Sequence, residues 1–165
     1  MTLDLSRALN SMKSQLRDYC VNKQIVDPIV VGIHSGGVWV ANEVLSSVPT
    51  QEPLATLDIT FYRDDFTYAG LHPQVGHTHL PALEDRHVIL VDDVLMSGRT
   101  IRAAMNEIFD FGRPASITLA ILYELDGREL PIQADIVGEK LSLNQNQRIK
   151  LAGPAPLTVS LMETA

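Results

Sequence analysis

The most informative segment of the 165-residue sequence is Val88-Ile-Leu-Val-Asp-Asp-Val-Leu-Met-Ser-Gly-Arg-Thr100. The apolar run 87–91 is typical of a buried β-strand, and it is followed by two carboxylates. A short loop containing Ser97 and Gly98 comes next, and the residues after the loop have helical spacing. The stretch therefore predicts a buried strand, a tight turn and the start of a helix.

The start of this helix is suited to binding a phosphate group. The first N–H groups of a helix lack partners within the helix, and the helix dipole places positive charge there. Ser97 and Thr100 add hydroxyl donors, so the loop predicts a pocket for a phosphate monoester. Asp92 and Asp93 precede the pocket where the hydroxyls of a sugar would lie, and carboxylates also help to hold Mg²⁺ through water. Each piece alone is also typical of a capped turn, but the ordered combination favours the phosphate site.

Strands and helices alternate on both sides of this stretch. Strands are predicted at 29–33, 57–62, 87–91 and 117–122. Helices are predicted at 5–20, 38–46 and 101–111. The alternation indicates an α/β fold with a central, mainly parallel sheet covered by helices on both faces. Residues 129–162 hold further short strand candidates, and we expect 1–165 to form a single domain because no linker or repeat interrupts it.

The composition bears on partners and location. A formal net charge of -7 disfavours RNA as a partner, although a local basic patch would still permit it. No stretch approaches the ~20 apolar residues that cross a membrane, and the N-terminus lacks the pattern of a secretion signal. The single cysteine, Cys20, forms no intrachain disulfide, which favours a cytoplasmic protein. We expect Cys20 to be a buried, apolar-like residue.

Open parallel sheets bind ligands at the carboxyl ends of their strands. This rule places three segments near one another, namely the turn after residue 33, the loop after residue 62 and the turn after residue 91. The region 63–80 also contains His72, His77 and His79. Their spacing permits a zinc site, but solvated loop histidines are the more common case.

The stretch 88–100 resembles the signature by which type I phosphoribosyltransferases bind phosphoribosyl pyrophosphate (PRPP): apolar residues, two acidic residues, and a loop ending in Thr/Ser-Gly-Lys/Arg-Thr. Within this family the chain is similar to the PyrR group, pyrimidine-operon attenuators that are also uracil phosphoribosyltransferases. The similarity covers roughly residues 5–150. It also includes Leu57-Asp-Ile-Thr-Phe-Tyr-Arg-Asp-Asp65, Asp110-Phe-Gly-Arg-Pro114 and Arg128-Glu-Leu-Pro-Ile-Gln-Ala-Asp135.

The resemblance implies the type I phosphoribosyltransferase fold, in which a mainly parallel sheet is flanked by helices and carries a small hood. It implies transfer of the phosphoribosyl group of PRPP to a pyrimidine base such as uracil, giving uridine monophosphate (UMP) and pyrophosphate, with Mg²⁺ as cofactor. It also implies a homo-oligomer.

The resemblance assigns roles to individual residues as well. Asp92 and Asp93 would contact the 2′- and 3′-hydroxyls of ribose and help to hold Mg²⁺, and Arg63 would begin the flexible loop that closes over the site. These three are the expected catalytic residues. The expected substrate-binding residues form the pyrophosphate loop, the phosphate loop and the hood: His34, Ser35, Gly36, Gly37, Met96, Ser97, Gly98, Arg99, Thr100 and Arg128.

Three positions depart from the family pattern. The pyrophosphate loop reads His34-Ser-Gly-Gly37 without an arginine, so one cation for the leaving group is missing unless His34 is protonated. The hood reads Glu124-Leu-Asp-Gly-Arg-Glu-Leu-Pro131 and lacks an arginine and a histidine. Met96 stands where some purine-using relatives have an acidic residue and where the PyrR group typically has tyrosine. Because methionine accepts no proton, a purine substrate of that type is disfavoured. The changes in the pyrophosphate loop and in the hood predict weaker catalysis or an altered base preference.

Two other functions remain open at this point. The first is that of an RNA-binding attenuator of pyrimidine genes that responds to UMP. The second is that of a catalytically weak regulatory protein that has kept the PRPP pocket. Salt-dependent binding of an RNA hairpin is expected of the first. Binding without product formation is expected of the second.

Overall fold

The computed structural model describes residues 1–59 and 78–164. Its helices are α1 (Leu5–Asn22), α2 (Gly36–Val44) and α3 (Arg99–Phe111), with a short 3-10 helix at Leu45–Ser47. Its strands are β1 (Ile29–Ile33), β2 (Ala55–Leu57), β3 (His87–Leu95), β4 (Ser116–Leu125), β5 (Ile136–Leu141), β6 (Gln147–Ala152) and β7 (Thr158–Glu163). None of the helices in these two ranges is long and apolar enough to cross a membrane.

Five strands form one sheet in the order β2-β1-β3-β4-β5. Every neighbouring pair in this sheet is parallel, and Val31 pairs with both Ala55 of β2 and Leu90 of β3. Strands β6 and β7 form a separate antiparallel hairpin. The predicted α/β architecture is therefore confirmed, and the strand candidates in the C-terminal part of the chain correspond to β5, β6 and β7.

The core lies on both faces of the sheet. On one face α1, α2 and the β6–β7 hairpin bury residues such as Met12, Val40 and Leu151 against Ile89 and Val91 of β3. On the other face α3 packs its own apolar stripe against the sheet, and that cluster includes Ile101, Ala104, Ile108, Val88 and Leu90. Strands covered on both faces are apolar along their whole length, which explains the continuous run at 29–33.

The order of the strands decides where a ligand can bind. The chain moves from β1 outward to β2, whereas from β3 it moves in the opposite direction, to β4 and then β5. A crevice opens beyond the carboxyl ends of two neighbouring strands where the connections diverge in this way. Here those strands are β1 and β3, so the segments after residues 33 and 95 border the crevice.

Several element boundaries differ from the predicted ones. Strand β3 continues through both aspartates to Leu95 instead of ending at residue 91, and α2 begins at Gly36 instead of residue 38. Strand β2 ends at Leu57, where the predicted strand began, and residues 60–62 of that prediction lie outside the described residues. Cys20 is buried as expected, and burial raises the pKa of its thiol.

Candidate active site

The two predicted acidic residues lie within a strand. Strand β3 continues past Val91 because β4 runs beside it, pairing Asp92 with Ile121 and Val94 with Tyr123. Each carboxylate accepts a hydrogen bond from the next amide: Asp93 N–H donates to Asp92 Oδ1 (2.9 Å), and Val94 N–H donates to Asp93 Oδ1 (2.8 Å). Asp92 is buried and Asp93 is half-buried, so the pair is anchored in the sheet at the border of the crevice.

Two glycines bring α2 into contact with this acidic pair. A Cβ atom placed on Gly36 would lie 2.7 Å from Asp93 Cγ, and one placed on Gly37 would lie 3.0 Å from Asp92 Oδ1. The Gly37 position is also closed by backbone, since Val91 O would be only 2.6 Å away. A residue with a side chain at either position would have to displace a carboxylate or the strand itself. The structure therefore brings the predicted pyrophosphate loop and the acidic pair together.

The start of α2 faces the same crevice. Val38 N–H and Trp39 N–H both donate to Ser35 O (3.1 and 3.3 Å), so the amides of Gly36 and Gly37 precede the hydrogen bonds of the helix. Amides at this position, together with the helix dipole, favour an anion. His34 N–H donates to Leu57 O (2.9 Å), which continues the β1–β2 ladder by one residue and holds the start of the loop in place.

The predicted phosphate loop connects β3 to α3. Gly98 precedes the helix with a φ of 95°, a left-handed conformation in which glycine has no Cβ to clash. Ser97 Oγ accepts from Arg99 N–H (3.1 Å), and the helical hydrogen bonds begin with Arg102 N–H donating to Gly98 O (2.9 Å). The loop surrounds a cavity of about 130 Å³, and the lining includes Ser97, Gly98 and Thr100. This arrangement is suited to binding a small anion at the first turn of α3.

Residues 126–135, which connect β4 to β5 and which we call the hood segment, lie directly on this loop. Arg128 Nε donates to Met96 O (2.8 Å), a second nitrogen of the same guanidinium donates to Ile132 O, and a third contacts Glu124 Oε1 (3.3 Å). A Cβ atom on Gly98 would be 3.1 Å from the Ile132 side chain, so the segment is in close contact with the start of α3.

The contact between the hood segment and the loop continues beyond Arg128. Ser97 O accepts from the N–H groups of Glu129 (3.0 Å) and Leu130 (3.1 Å). Arg99 Nε pairs with Glu129 Oε2 at 2.9 Å, and both side chains are more than half exposed. On its other side the hood segment borders a larger cavity of about 630 Å³, between itself and the carboxyl ends of β4 and β5.

The structure thus collects most of the predicted site at one edge of the sheet. His34, Ser35, Gly36 and Gly37 border the crevice after β1, whereas Met96, Ser97, Gly98, Arg99 and Thr100 follow β3. Asp92 and Asp93 lie between these two groups, and Arg128 contacts the second. Arg63, His72 and His77 lie outside the described residues, and His79 instead forms an isolated bridge with Thr56 of β2.

Sequence reasoning quoted Glu124 and Glu129 within the hood motifs but assigned neither residue a role. Glu124 contacts both Arg128 and Lys140, and Glu129 contacts the backbone and a side chain of the phosphate loop. The four-residue spacing of Glu124 and Arg128 was the one local signal for this network. The contact of residue 129 with residue 97 has no local signal, because it depends on how β4 and the hood segment are folded over the loop.

Comparisons with known proteins agree with this geometry. The phosphoribosyl transferase domain model matches residues 3–151. The chain is 57% identical over 152 residues to the bifunctional protein PyrR of Pseudomonas aeruginosa strain LESB58, covering 92% of this chain and 89% of the relative. It is 52% identical over 158 residues to the bifunctional protein PyrR of Pseudomonas fluorescens, covering 95% of this chain and 94% of the relative.

Solved structures support the fold. The hypoxanthine phosphoribosyltransferase of Trypanosoma cruzi superposes with a TM-score of 0.66 at 18% identity, covering 87% of this chain and 81% of that one. A hypoxanthine-guanine phosphoribosyltransferase of Bacillus anthracis gives a TM-score of 0.66 at 14% identity, covering 85% and 82%. The match over residues 3–151 and the high identity to PyrR proteins lead to one conclusion: the chain belongs to the phosphoribosyltransferase family, as a relative of the bifunctional PyrR proteins.

Proposed function

We propose that this protein transfers the phosphoribosyl group of PRPP to uracil, giving UMP and pyrophosphate. The observation that carries the proposal is the contact of Gly36 and Gly37 with Asp93 and Asp92, beside the loop that begins α3. Two anion-binding helix starts with a carboxylate pair between them correspond to the three parts of PRPP. These parts are a diphosphate, a ribose with two free hydroxyls, and a 5′-phosphate.

In this proposal the phosphate loop binds the 5′-phosphate. The amides at the start of α3 and the hydroxyls of Ser97 and Thr100 supply donors, and Arg99 supplies a positive charge. Arg99 is 58% exposed and pairs with Glu129 on the surface, so it can turn toward a phosphate at little cost. The cavity of about 130 Å³ beside these donors supports this assignment.

Asp92 and Asp93 would accept hydrogen bonds from the ribose hydroxyls and help to hold Mg²⁺. Among the residues that the structure describes, no group of three or more histidine, cysteine, aspartate or glutamate side chains could hold a metal ion. Proteins commonly bind magnesium through one or two carboxylates together with water and substrate phosphates, and Asp92 and Asp93 would supply such a carboxylate pair. When bound, Mg²⁺ would neutralise charge that develops on the departing pyrophosphate.

The reaction breaks the bond between ribose C1 and a pyrophosphate oxygen, which leaves with the bonding electrons. A ring nitrogen of the base then forms the new bond to C1 and loses its proton. The amides of Gly36 and Gly37 would stabilise the departing oxygens electrostatically, because they lie at the positive end of α2. His34 would supply the cation that the loop otherwise lacks, if it is protonated when pyrophosphate binds. Arg63 would help to close the site against water, as the family resemblance implies.

The identity of the base rests on two arguments. Met96, which is 52% exposed beside the hood segment, offers no carboxylate to a purine of the type that some relatives bind. The curated relatives at 57% and 52% identity are both named bifunctional protein PyrR, and the resemblance described above connects that group to uracil. The missing hood arginine and histidine predict a slower reaction than that of other members.

Pyrophosphate release from PRPP and Mg²⁺ tests this proposal, measured in parallel with uracil, cytosine, orotate, hypoxanthine and guanine. We expect product with uracil alone, and a loss of at least about 100-fold in Asp93→Asn, since a misplaced or missing catalytic group costs that much. The Asp93→Asn variant should unfold within a few degrees of the wild type, because Asp93 is only half-buried. Release with guanine or hypoxanthine but not uracil would contradict the proposed base. No release with any base, despite PRPP binding, would favour the catalytically weak regulatory protein.

A second function, binding of pyrimidine-operon RNA, is favoured by one feature of the surface. Arg148 and Lys150 are exposed on the same side of β6, and the facing residues of β7 carry no negative charge at the paired positions Met162 and Ser160. The net charge of -7 opposes this function over the surface as a whole. Binding of a hairpin RNA that weakens steeply with salt, and weakens further in Lys150→Gln, is the expected result if RNA is bound. RNA binding that does not change with salt concentration would contradict this second function.

We further propose that the protein is a cytoplasmic homo-oligomer. The lone, buried and unpaired Cys20 is compatible with a reducing compartment. Phe109 and Phe111 on α3 are each more than half exposed, and the family resemblance implies an oligomer. Light scattering would measure a single-chain mass if this part of the proposal is wrong.

A further inference from the structure

The hood segment reaches the phosphate loop through Arg128. Its guanidinium carries five N–H donors in a fixed planar arrangement. In this structure Nε donates to Met96 O (2.8 Å), one terminal nitrogen donates to Ile132 O, and the other contacts Glu124 Oε1 (3.3 Å). The three acceptors belong to three different segments, namely the phosphate loop, the hood segment and the end of β4. The side chain is only 28% exposed, so these contacts are partly shielded from water.

The acceptor on the phosphate loop is well placed to control the shape of that loop. Met96 directly precedes Ser97, whose carbonyl accepts from Glu129 N–H and Leu130 N–H. The hood segment therefore holds two consecutive carbonyls of the loop, and the amides that follow are those of the proposed phosphate site. Because a peptide unit is planar, fixing these carbonyls restricts the directions in which the following N–H groups point.

We propose that Arg128 is a positioning residue for the phosphate site, acting on the phosphoribosyl end of the substrate through Met96 and not by contact with the base. The inference deepens the proposed function and rests on it, since the loop must be a phosphate site. It also explains why the residue is arginine, because one lysine ammonium cannot satisfy acceptors on three segments in a planar arrangement.

The neighbouring Arg99 pair does not serve the same purpose. Arg99 and Glu129 are 58% and 55% exposed, so solvent weakens their attraction and the pair can open. Arg128 is the better anchored of the two arginines, and two of its partners are backbone carbonyls that no substitution elsewhere removes. Glu124 Oε1 contacts the guanidinium at 3.3 Å, and the second oxygen of Glu124 is 3.5 Å from Lys140 Nζ.

The test measures calorimetric binding of ribose 5-phosphate, which has the phosphate and the sugar but no base and undergoes no transfer. We expect Arg128→Gln to weaken this binding by about 10- to 100-fold, the factor that corresponds to the loss of one or two hydrogen bonds from a charged group. Arg128→Lys should recover part of the loss, and Glu124→Gln should cause a smaller loss in the same direction. Lys140→Gln is the matched control, because the Lys140 ammonium pairs with the oxygen of Glu124 that Arg128 does not contact, and it should change binding less than twofold.

Steady-state kinetics and amide exchange give the second readout. In Arg128→Gln the KM for PRPP should rise about tenfold or more while the KM for uracil changes less than twofold, and amide exchange should accelerate at residues 97–99. Thermal unfolding of each variant separates this effect from loss of the fold, and Arg128→Lys and Glu124→Gln keep the test valid if Arg128→Gln does not fold. An unchanged affinity for ribose 5-phosphate in all three variants, or a change confined to the KM for uracil, would overturn the inference.

The two proposals can fail separately. If the wild type binds ribose 5-phosphate but releases no pyrophosphate with any base, the proposed function is wrong, and the binding series still decides the role of Arg128. If the wild type turns over PRPP and uracil but Arg128→Gln binds ribose 5-phosphate normally, the role of Arg128 is wrong and the proposed function stands.

Discussion

Replacing Gly36 with alanine should lower the activity of this protein strongly while changing its stability little. The new methyl carbon would lie 2.7 Å from Asp93 Cγ, whereas non-bonded carbon atoms prefer about 3.5–4.0 Å. The carboxylate must therefore move by about 1 Å, or the start of α2 must move by the same amount. A displacement of about 1 Å at a catalytic group costs up to about 100-fold in rate. We expect kcat/KM for pyrophosphate release to fall by about this factor.

The stability of Gly36→Ala should change much less. Moving Asp93 weakens the hydrogen bond from Val94 N–H (2.8 Å), which contributes about 0.5–1.5 kcal/mol, or somewhat more for an ionised acceptor. Alanine in place of glycine favours the helix by up to about 1 kcal/mol, which offsets that loss. The net change is about 1 kcal/mol or less, which corresponds to a shift in Tm of about 2–4 °C for a chain of this size.

Two further alanine substitutions make the comparison decisive. Gly112→Ala is the matched control. Its methyl carbon would lie 2.9 Å from a carboxylate oxygen, Glu84 Oε1, and that oxygen accepts a hydrogen bond from Arg113 N–H, just as Asp93 Oδ1 accepts one from Val94 N–H. It should shift Tm similarly and leave kcat/KM unchanged. Gly37→Ala meets the backbone carbonyl of Val91 instead, so it should lose stability by about 1–3 kcal/mol as well as activity. A folded Gly36→Ala variant with wild-type kcat/KM would show that activity does not depend on the position that Asp93 has beside Gly36.

Three other predictions concern stability. Gly98→Ala should lower Tm by about 2–8 °C, because a φ of 95° costs a residue with a side chain about 1–2 kcal/mol, and Gly98→Asn, which tolerates this region better, should lower it less. Arg86→Ala should lower the free energy of unfolding in urea by about 1–3 kcal/mol, because Arg86 donates to Asp27 O (2.9 Å) and to Glu52 Oε1 (3.2 Å), and an unchanged midpoint would contradict this. Tyr123→Phe should raise Tm, since the Tyr123 hydroxyl is buried without a hydrogen-bond partner in the described structure.

The Tyr123 prediction extends to high pH. Burial, with a smaller contribution from Glu139, raises the pKa of Tyr123 to about 12, from 10.0. Because the folded state holds this proton more tightly than the unfolded state, its contribution to stability is complete below pH 10.0 and is lost as the pH rises toward about 12. Tyr123→Phe should therefore lose less stability over that interval than the wild type, and parallel curves in denaturant titrations would contradict the assignment.

The local pattern of the sequence was sufficient for most of the elements and for one half of the site. Period and composition alone predicted β1, β3, β4, α1 and α3 within a few residues, because each element has its own apolar run or stripe and its own turn residues. The phosphate loop could also be predicted, because its parts are contiguous from Asp92 to Thr100. Once the strands were known to be parallel, their carboxyl ends had to share one edge, which placed the segment after Ile33 near that loop.

Other features were decided by tertiary contacts. The acidic pair looked like the beginning of a turn, but β4 runs beside β3 to Leu95 and supplies the ladder that keeps Asp92 and Asp93 in the strand. Gly36 and Gly37 looked like a loop, but their missing side chains let α2 begin against those carboxylates. Arg128 was expected to be a substrate-binding residue of the hood, and its partners Met96 and Glu124 emerged only when the hood segment was folded over the phosphate loop. Local periodicity reports on neighbours within a few residues, whereas these contacts join residues brought together by the packing of the whole sheet.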